Sequence, residues 1–92
     1  MAHCKYEMLQ DLEAALDEIR VLAGVKEPKP GTFYLKSKGF LHFYYKGERR
    51  WADARDGVNW GTEIEIPFKA SKPQIQEFLQ EVLQRYENST KK

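Results

Sequence analysis

Two runs of alternating side chains, residues 40–46 and 49–55, meet at Gly47-Glu48 and dictate more about this chain than any other stretch. The Gly-containing junction is short enough for a tight antiparallel hairpin. Alternation sends successive side chains to opposite faces, so such a ribbon has one dry side and one side free for other use. With Gly47 and Glu48 as the central turn residues, Phe43 falls opposite Ala52, Leu41 opposite Ala54 and Tyr45 opposite Arg50, large side chains meeting small ones as core layers prefer. The other parity sets His42 opposite Asp53, Tyr44 opposite Trp51 and Phe40 opposite Arg55. Sliding the turn to Lys46-Gly47 changes the partners but leaves each residue on the same face.

The remaining elements must cover the dry side. From Tyr6 to Ala23 the residues Leu9, Leu12, Leu16, Ile19 and Ala23 recur at three and four, the stripe of an amphipathic helix, and Gly24 ends it. Val25 to Gly31, with Pro28 and Pro30, reads as a stiff connector. Near the other end Ser71-Lys-Pro-Gln74 fits a capping box with Pro73 in the first turn, so a helix starts there. Ile75, Phe78, Leu79, Val82, Leu83 and Tyr86 carry its apolar stripe, leaving Gln76, Glu77, Gln80, Glu81, Gln84 and Arg85 to water.

Between the helices the spacing predicts four strands, residues 32–37, 40–46, 49–55 and 63–67, the first pair joined at Lys38-Gly39. Asp56 to Gly61 is a loop, and in the last strand Ile64, Ile66 and Phe68 share a face away from Glu63 and Glu65. The expected fold is α+β in two layers: helix, four-stranded antiparallel meander, helix, with both helices on one face of the sheet. At 92 residues this is a single domain, with its core at about residues 5–87 and a polar, frayed tail over residues 88–92.

Composition narrows the setting. Fifteen Lys and Arg balance fourteen Asp and Glu, which supplies no long-range pull toward nucleic acid or an anionic membrane. No apolar run approaches the length of a membrane span or resembles a signal peptide. Cys4 is the one cysteine, so no internal disulfide can form and a reducing, cytoplasmic compartment is the simplest reading. Asn88-Ser89-Thr90 matches a glycosylation acceptor, a match without consequence in that setting.

The wet side of the ribbon is the candidate binding face: His42, Tyr44, Trp51, Asp53 and Arg55, joined by Tyr34 from the first strand. Aromatic residues with an Arg are the composition of interfaces and shallow binding sites. Cross-strand aromatic pairing alone would also account for it, since such pairs stabilise sheets by themselves. A non-enzymatic interaction module ranks first, its partner another protein or a second copy that covers Tyr44 and Trp51 in a twofold dimer. An enzyme with His42 as base and Asp53 fixing its tautomer ranks second, lacking a nucleophile: Ser37 has the core-facing parity and Cys4 is remote. No catalytic residue, metal ligand set or cofactor motif is assigned, and His3 cannot be placed with His42 from sequence.

The order helix, meander, helix is also that of double-stranded-RNA-binding domains, and Lys69 and Lys72 open the last helix where that family keeps basic residues. Only those two lysines match and the net charge is near zero, so nucleic acid ranks last among partners. A closer likeness lies in Gly31-Thr-Phe-Tyr-Leu-Lys-Ser-Lys38, Phe40-Leu-His-Phe43 and Ala52-Asp-Ala-Arg55 followed by a closing helix. On these pieces the chain resembles a group of small bacterial proteins of unassigned function over roughly residues 22 to 86. The resemblance implies no activity. Tyr44-Tyr45-Lys46 and Arg49-Arg50 stand where acidic residues would be expected, so no ligand is carried over from that group.

Overall fold

The first helical region divides according to its own spacing. In the computed structural model, which describes residues 2–91, a 3-10 helix spans Tyr6–Leu12 and passes directly into α1, Glu13–Arg20. Three residues per turn align Tyr6, Leu9 and Leu12 in one row, whereas Ala15, Leu16 and Ile19 follow the α-helical period. Leu9, Leu12, Leu16 and Ile19 are buried as expected. Ala23 is not: α1 stops at Arg20, and Gly24, at φ +82°, turns the chain away.

The second helix, α2, runs Lys72–Thr90 behind a complete capping box. Gln74 N–H donates to Ser71 Oγ at 3.3 Å and Ser71 N–H donates to Gln74 Oε1 at 2.8 Å. Phe78, Leu79 and Val82 are buried, with Ile75, Leu83 and Tyr86 packed at the margin. Two expectations about this helix fail. Its end is not frayed through Thr90, because Asn88 Nδ2 donates to Asp56 Oδ1 at 2.8 Å and Gly57 N–H donates to Ser89 Oγ at 3.0 Å. Arg85, assigned to water, is buried and donates to the Ala54 carbonyl at 2.9 Å, in space left open by Gly61, where a Cβ would lie 2.5 Å from its Nη1.

The two helices lie on one face of a seven-stranded antiparallel sheet. Its strands are β1 (Ala2–His3), β2 (Val25–Lys29), β3 (Thr32–Leu35), β4 (Lys38–Lys46), β5 (Arg49–Asp56), β6 (Asn59–Trp60) and β7 (Ile64–Glu65). The order is β2-β3-β4-β5-β6, with β1 also on β4 and β7 also on β5. The β4–β5 register is the expected one: Leu41 faces Ala54, His42 faces Asp53, Phe43 faces Ala52, Tyr44 faces Trp51 and Tyr45 faces Arg50. Leu41, Phe43, Ala52 and Ala54 are buried in the core beneath the helices.

The three additional strands each have a physical cause. The expected connector is β2, an outermost strand, where prolines cost no ladder bond that matters, and its register slips between Lys26 and Lys29 around Pro28. The expected loop folds at Gly57, φ +76°, so that Trp60 returns opposite Arg55 as β6. β1 adds Ala2 and His3 to the edge of β4, opposite Tyr45 and Tyr44. The first hairpin turns at Lys36-Ser37, both at positive φ, rather than at Lys38-Gly39, and Ser37 therefore has no strand parity at all. A register shift follows: Phe33 faces Leu41 while Tyr34 faces Gly39, so Phe40 is the extra residue and joins Leu41 on the dry side instead of facing out with Arg55.

Beneath the ribbon, Arg50 is fully buried. It donates to Asp11 through both terminal nitrogens at 2.8 Å, and to the carbonyls of Ile66, Met8 and Pro67 at 2.8, 2.6 and 2.7 Å. One side chain thus ties the 3-10 helix, β5 and the segment after β7 together.

Candidate binding face

The six positions singled out by alternation, Tyr34, His42, Tyr44, Trp51, Asp53 and Arg55, do share the outer side of the sheet, in two groups that meet at Tyr44, whose ring lies 4.5 Å from His3 and 6.4 Å from His42. Trp51 and Tyr44 stack at 6.0 Å, and the Arg49 guanidinium covers the indole at 4.1 Å while bonding to Glu63 and Glu65. Only 3% of Trp51 is exposed, so its own chain already covers the residue expected to anchor a dimer. This group is a closed stack.

The second group surrounds His42. Between ring centres, His42 lies 6.4 Å from Tyr34 at an interplanar angle of 27°, 5.3 Å from Trp60 in an edge-on arrangement and 5.8 Å from His3. Gly39 permits this crowding, since a Cβ there would sit 3.0 Å from His42 Nε2 and 3.4 Å from the Trp60 ring. Arg55 holds Trp60 from behind, 4.5 Å from the indole, and is itself fixed by donating to the carbonyls of Gly39 and Val58 at 2.8 Å. The outer surfaces of both aromatic flanks stay open: Tyr34 is 38% and Trp60 44% exposed.

His42 and Asp53 are cross-strand neighbours without a hydrogen bond or ion pair between them; His42 Nδ1 instead lies 3.4 Å from the Tyr44 hydroxyl. Nε2 is buried with no partner. An imidazolium needs acceptors at both nitrogens, so the site favours the neutral ring. Burial, with the His3 charge and against the pull of Asp53, accordingly holds His42 below its ordinary pKa. Burial, then nearby Glu63, raises the Asp53 carboxyl, against opposing His42 and Arg85. Burial, then Asp53, raises the Tyr44 hydroxyl. These groups disfavour charge at the sheet surface without forming an acid–base couple.

Beside His42 the outer face opens into a groove of about 1150 Å³. Its floor and walls include Tyr34, His3 and Cys4, and its rim carries Lys26, Lys29 and Lys36. The β2 irregularity matters here: Lys26 pairs with Tyr34 and Lys29 with Thr32, so the slip brings two lysines three residues apart onto the side that Tyr34 faces. Glu27 turns inward, accepting from Arg20 and from Gly31 N–H. Burial pushes the Cys4 thiol up to about 11, against the pull of Arg50, so it lines the groove as a protonated, unreactive group. Among the described residues no three His, Cys, Asp or Glu side chains gather as a cation site, and no helix is long and apolar enough to cross a membrane.

Sequence reasoning missed His3, Trp60 and the three lysines. Asp56-Gly57, a favoured hairpin pair, was the available signal for Trp60, and two-residue β1 left none for His3. Set beside protein-family models, curated proteins and solved structures, the chain matches none of them.

Proposed function

We propose that this chain is a small binding module that works through the outer face of its sheet, at the groove beside His42, in the reducing, cytoplasmic setting that one cysteine suggests. The observation that carries the reading is an open groove walled by half-exposed Tyr34 and by His42, with half-exposed Trp60 just beyond His42, on the side of the sheet the helices leave uncovered. Concave sites with aromatic walls and a few polar groups are where ligands are held. Fixed aromatic side chains give up little entropy when they are covered, so their exposed faces are ready contact area. An acid–base role would need Asp53 to orient His42, and Nδ1 is directed at Tyr44 instead.

The test is an amide chemical-shift map of the full chain titrated with indole and, separately, phenyl phosphate. Shifts concentrated at Lys26, Tyr34 and His42 support the reading. Shifts confined to the helical layer, or spread without focus, overturn it.

A further inference from the structure

Resting on that binding-face reading, the geometry points to single-stranded nucleic acid as the occupant, with bases stacked on Tyr34 and His42 and phosphates held by Lys26, Lys29 and Lys36. Two independent features converge on it. The first is the aromatic cluster: Tyr34 and His42 lie nearly parallel, and Trp60, 44% exposed, meets His42 edge-on with Arg55 over its ring. Aromatic side chains on a sheet face are stacking platforms for unpaired bases, and stacking tolerates any sequence because every base has a π-face.

The second is charge. All five arginines are engaged by groups of their own chain: Arg20, Arg49, Arg50 and Arg85 bond carboxylates, and Arg55 bonds backbone carbonyls. Among the described residues no lysine enters an ion pair, and three of these free cations rim one groove. Lysine binds phosphate as a mobile point charge, suited to tracking a backbone rather than reading a base edge. The glutamates on or beside this face, Glu27, Glu63 and Glu65, are each bonded to an arginine, so among the described residues Asp53 is the one unpaired carboxylate that this face of a second copy would bring to the three lysines. A polyanion supplies a negative charge for each lysine.

The experiment is fluorescence anisotropy of a labelled oligothymidine of about 15 nucleotides, with the full-length chain and its variants. Three phosphate contacts predict a slope of log affinity against log salt of about −2, hence roughly twentyfold weaker binding on going from about 50 to 200 mM salt. Tyr34→Ala should weaken binding by at least about fivefold, the lower limit for one lost stack. Lys26→Gln with Lys29→Gln should reduce the slope to about −0.7, one contact's share. Both lysines and Tyr34 are surface positions, and circular dichroism identifies any variant that has lost its fold. A blunt duplex of the same length should bind more weakly, since its bases are already stacked.

Absence of saturable binding up to about 100 µM protein at low salt overturns the proposal, since even non-specific binders reach that affinity. Equal affinity for the duplex, or insensitivity to Tyr34→Ala, does so as well. So does sedimentation equilibrium showing a dimer that Tyr34→Ala dissociates, which would give the face to a second copy. If the oligonucleotide fails while indole still maps to Tyr34 and His42, the ligand class is wrong and the binding face stands.

Discussion

Replacing Arg50 with methionine tests how the whole platform is held. Methionine approximates the volume of the arginine stem, so little cavity is left, and the loss comes from the groups that Arg50 satisfied. Those are the Ile66 carbonyl in a fully buried bond, the Met8 and Pro67 carbonyls in partly buried ones, and Asp11, whose side chain keeps 26% exposure. A buried acceptor left unpaired costs about 1–3 kcal/mol, and water can recover part of that at the partly exposed groups. The expected net loss is about 3 kcal/mol, a large share of the roughly 5–14 kcal/mol available to a domain of this length. At about 4–8 °C per kcal/mol, the melting temperature should fall by roughly 10–25 °C. Urea unfolding followed by tryptophan fluorescence measures the loss directly. Adding Asp11→Leu should restore only part of it, because the three carbonyls stay unpaired. An Arg50→Met variant within about 1 kcal/mol of the parent would refute the reasoning: desolvation of the guanidinium would then have offset its bonds.

Two further measurements probe the site and the helical layer. His42 should titrate below the ordinary histidine value near 6.5, so the unfolded chain binds its proton first on acidification; the stability that neutral His42 contributes is present above that value and declines as pH falls toward the folded one. Proton NMR of the imidazole resonances checks the midpoint, and comparison with His42→Phe, which should flatten the stability profile over the same pH range, checks the linkage. Ser71→Ala should cost about 1 kcal/mol in urea unfolding, the usual loss for an N-cap, since Gln74 N–H loses its acceptor.

The parts legible in the sequence were those fixed by neighbours in the chain. Gly47-Glu48 sets the β4–β5 register through a local turn, and Ser71 with Gln74 sets the start of α2 through bonds three residues apart. The missed parts depend on groups distant in sequence. Phe40 changes sides because β3 and β4 slip past each other, and Pro28 sits in a strand because β3 offers it an edge. Alternation told that Trp51 points outward and could not tell that Arg49, held by Glu63 and Glu65, would cover it. Arg85 reads as a surface residue until the Ala54 carbonyl receives it, and Arg50, which alternation puts on the dry side, is kept there by carbonyls from other elements.

Net charge is a coarse guide for a related reason. A total near zero describes a chain in which cations and anions are equally free, but the fold commits the two kinds of cation differently. Each arginine is fixed by its planar fork to carboxylates or carbonyls, and in being fixed it consumes glutamates that would otherwise neutralise the sheet face. The lysines are too strongly hydrated to bury, and three of the ten, Lys26, Lys29 and Lys36, line the groove by β2 and β3, whose one carboxylate, Glu27, is already taken. With screening over about 8–10 Å at ordinary salt, such a cluster acts on a ligand in the groove as a local positive field, whatever the acidic residues of α2 contribute to the sum. The quantity that decides what this surface attracts is therefore the set of charges the fold leaves unpaired, and among the residues lining the groove the lysines without an ion pair are Lys26, Lys29 and Lys36.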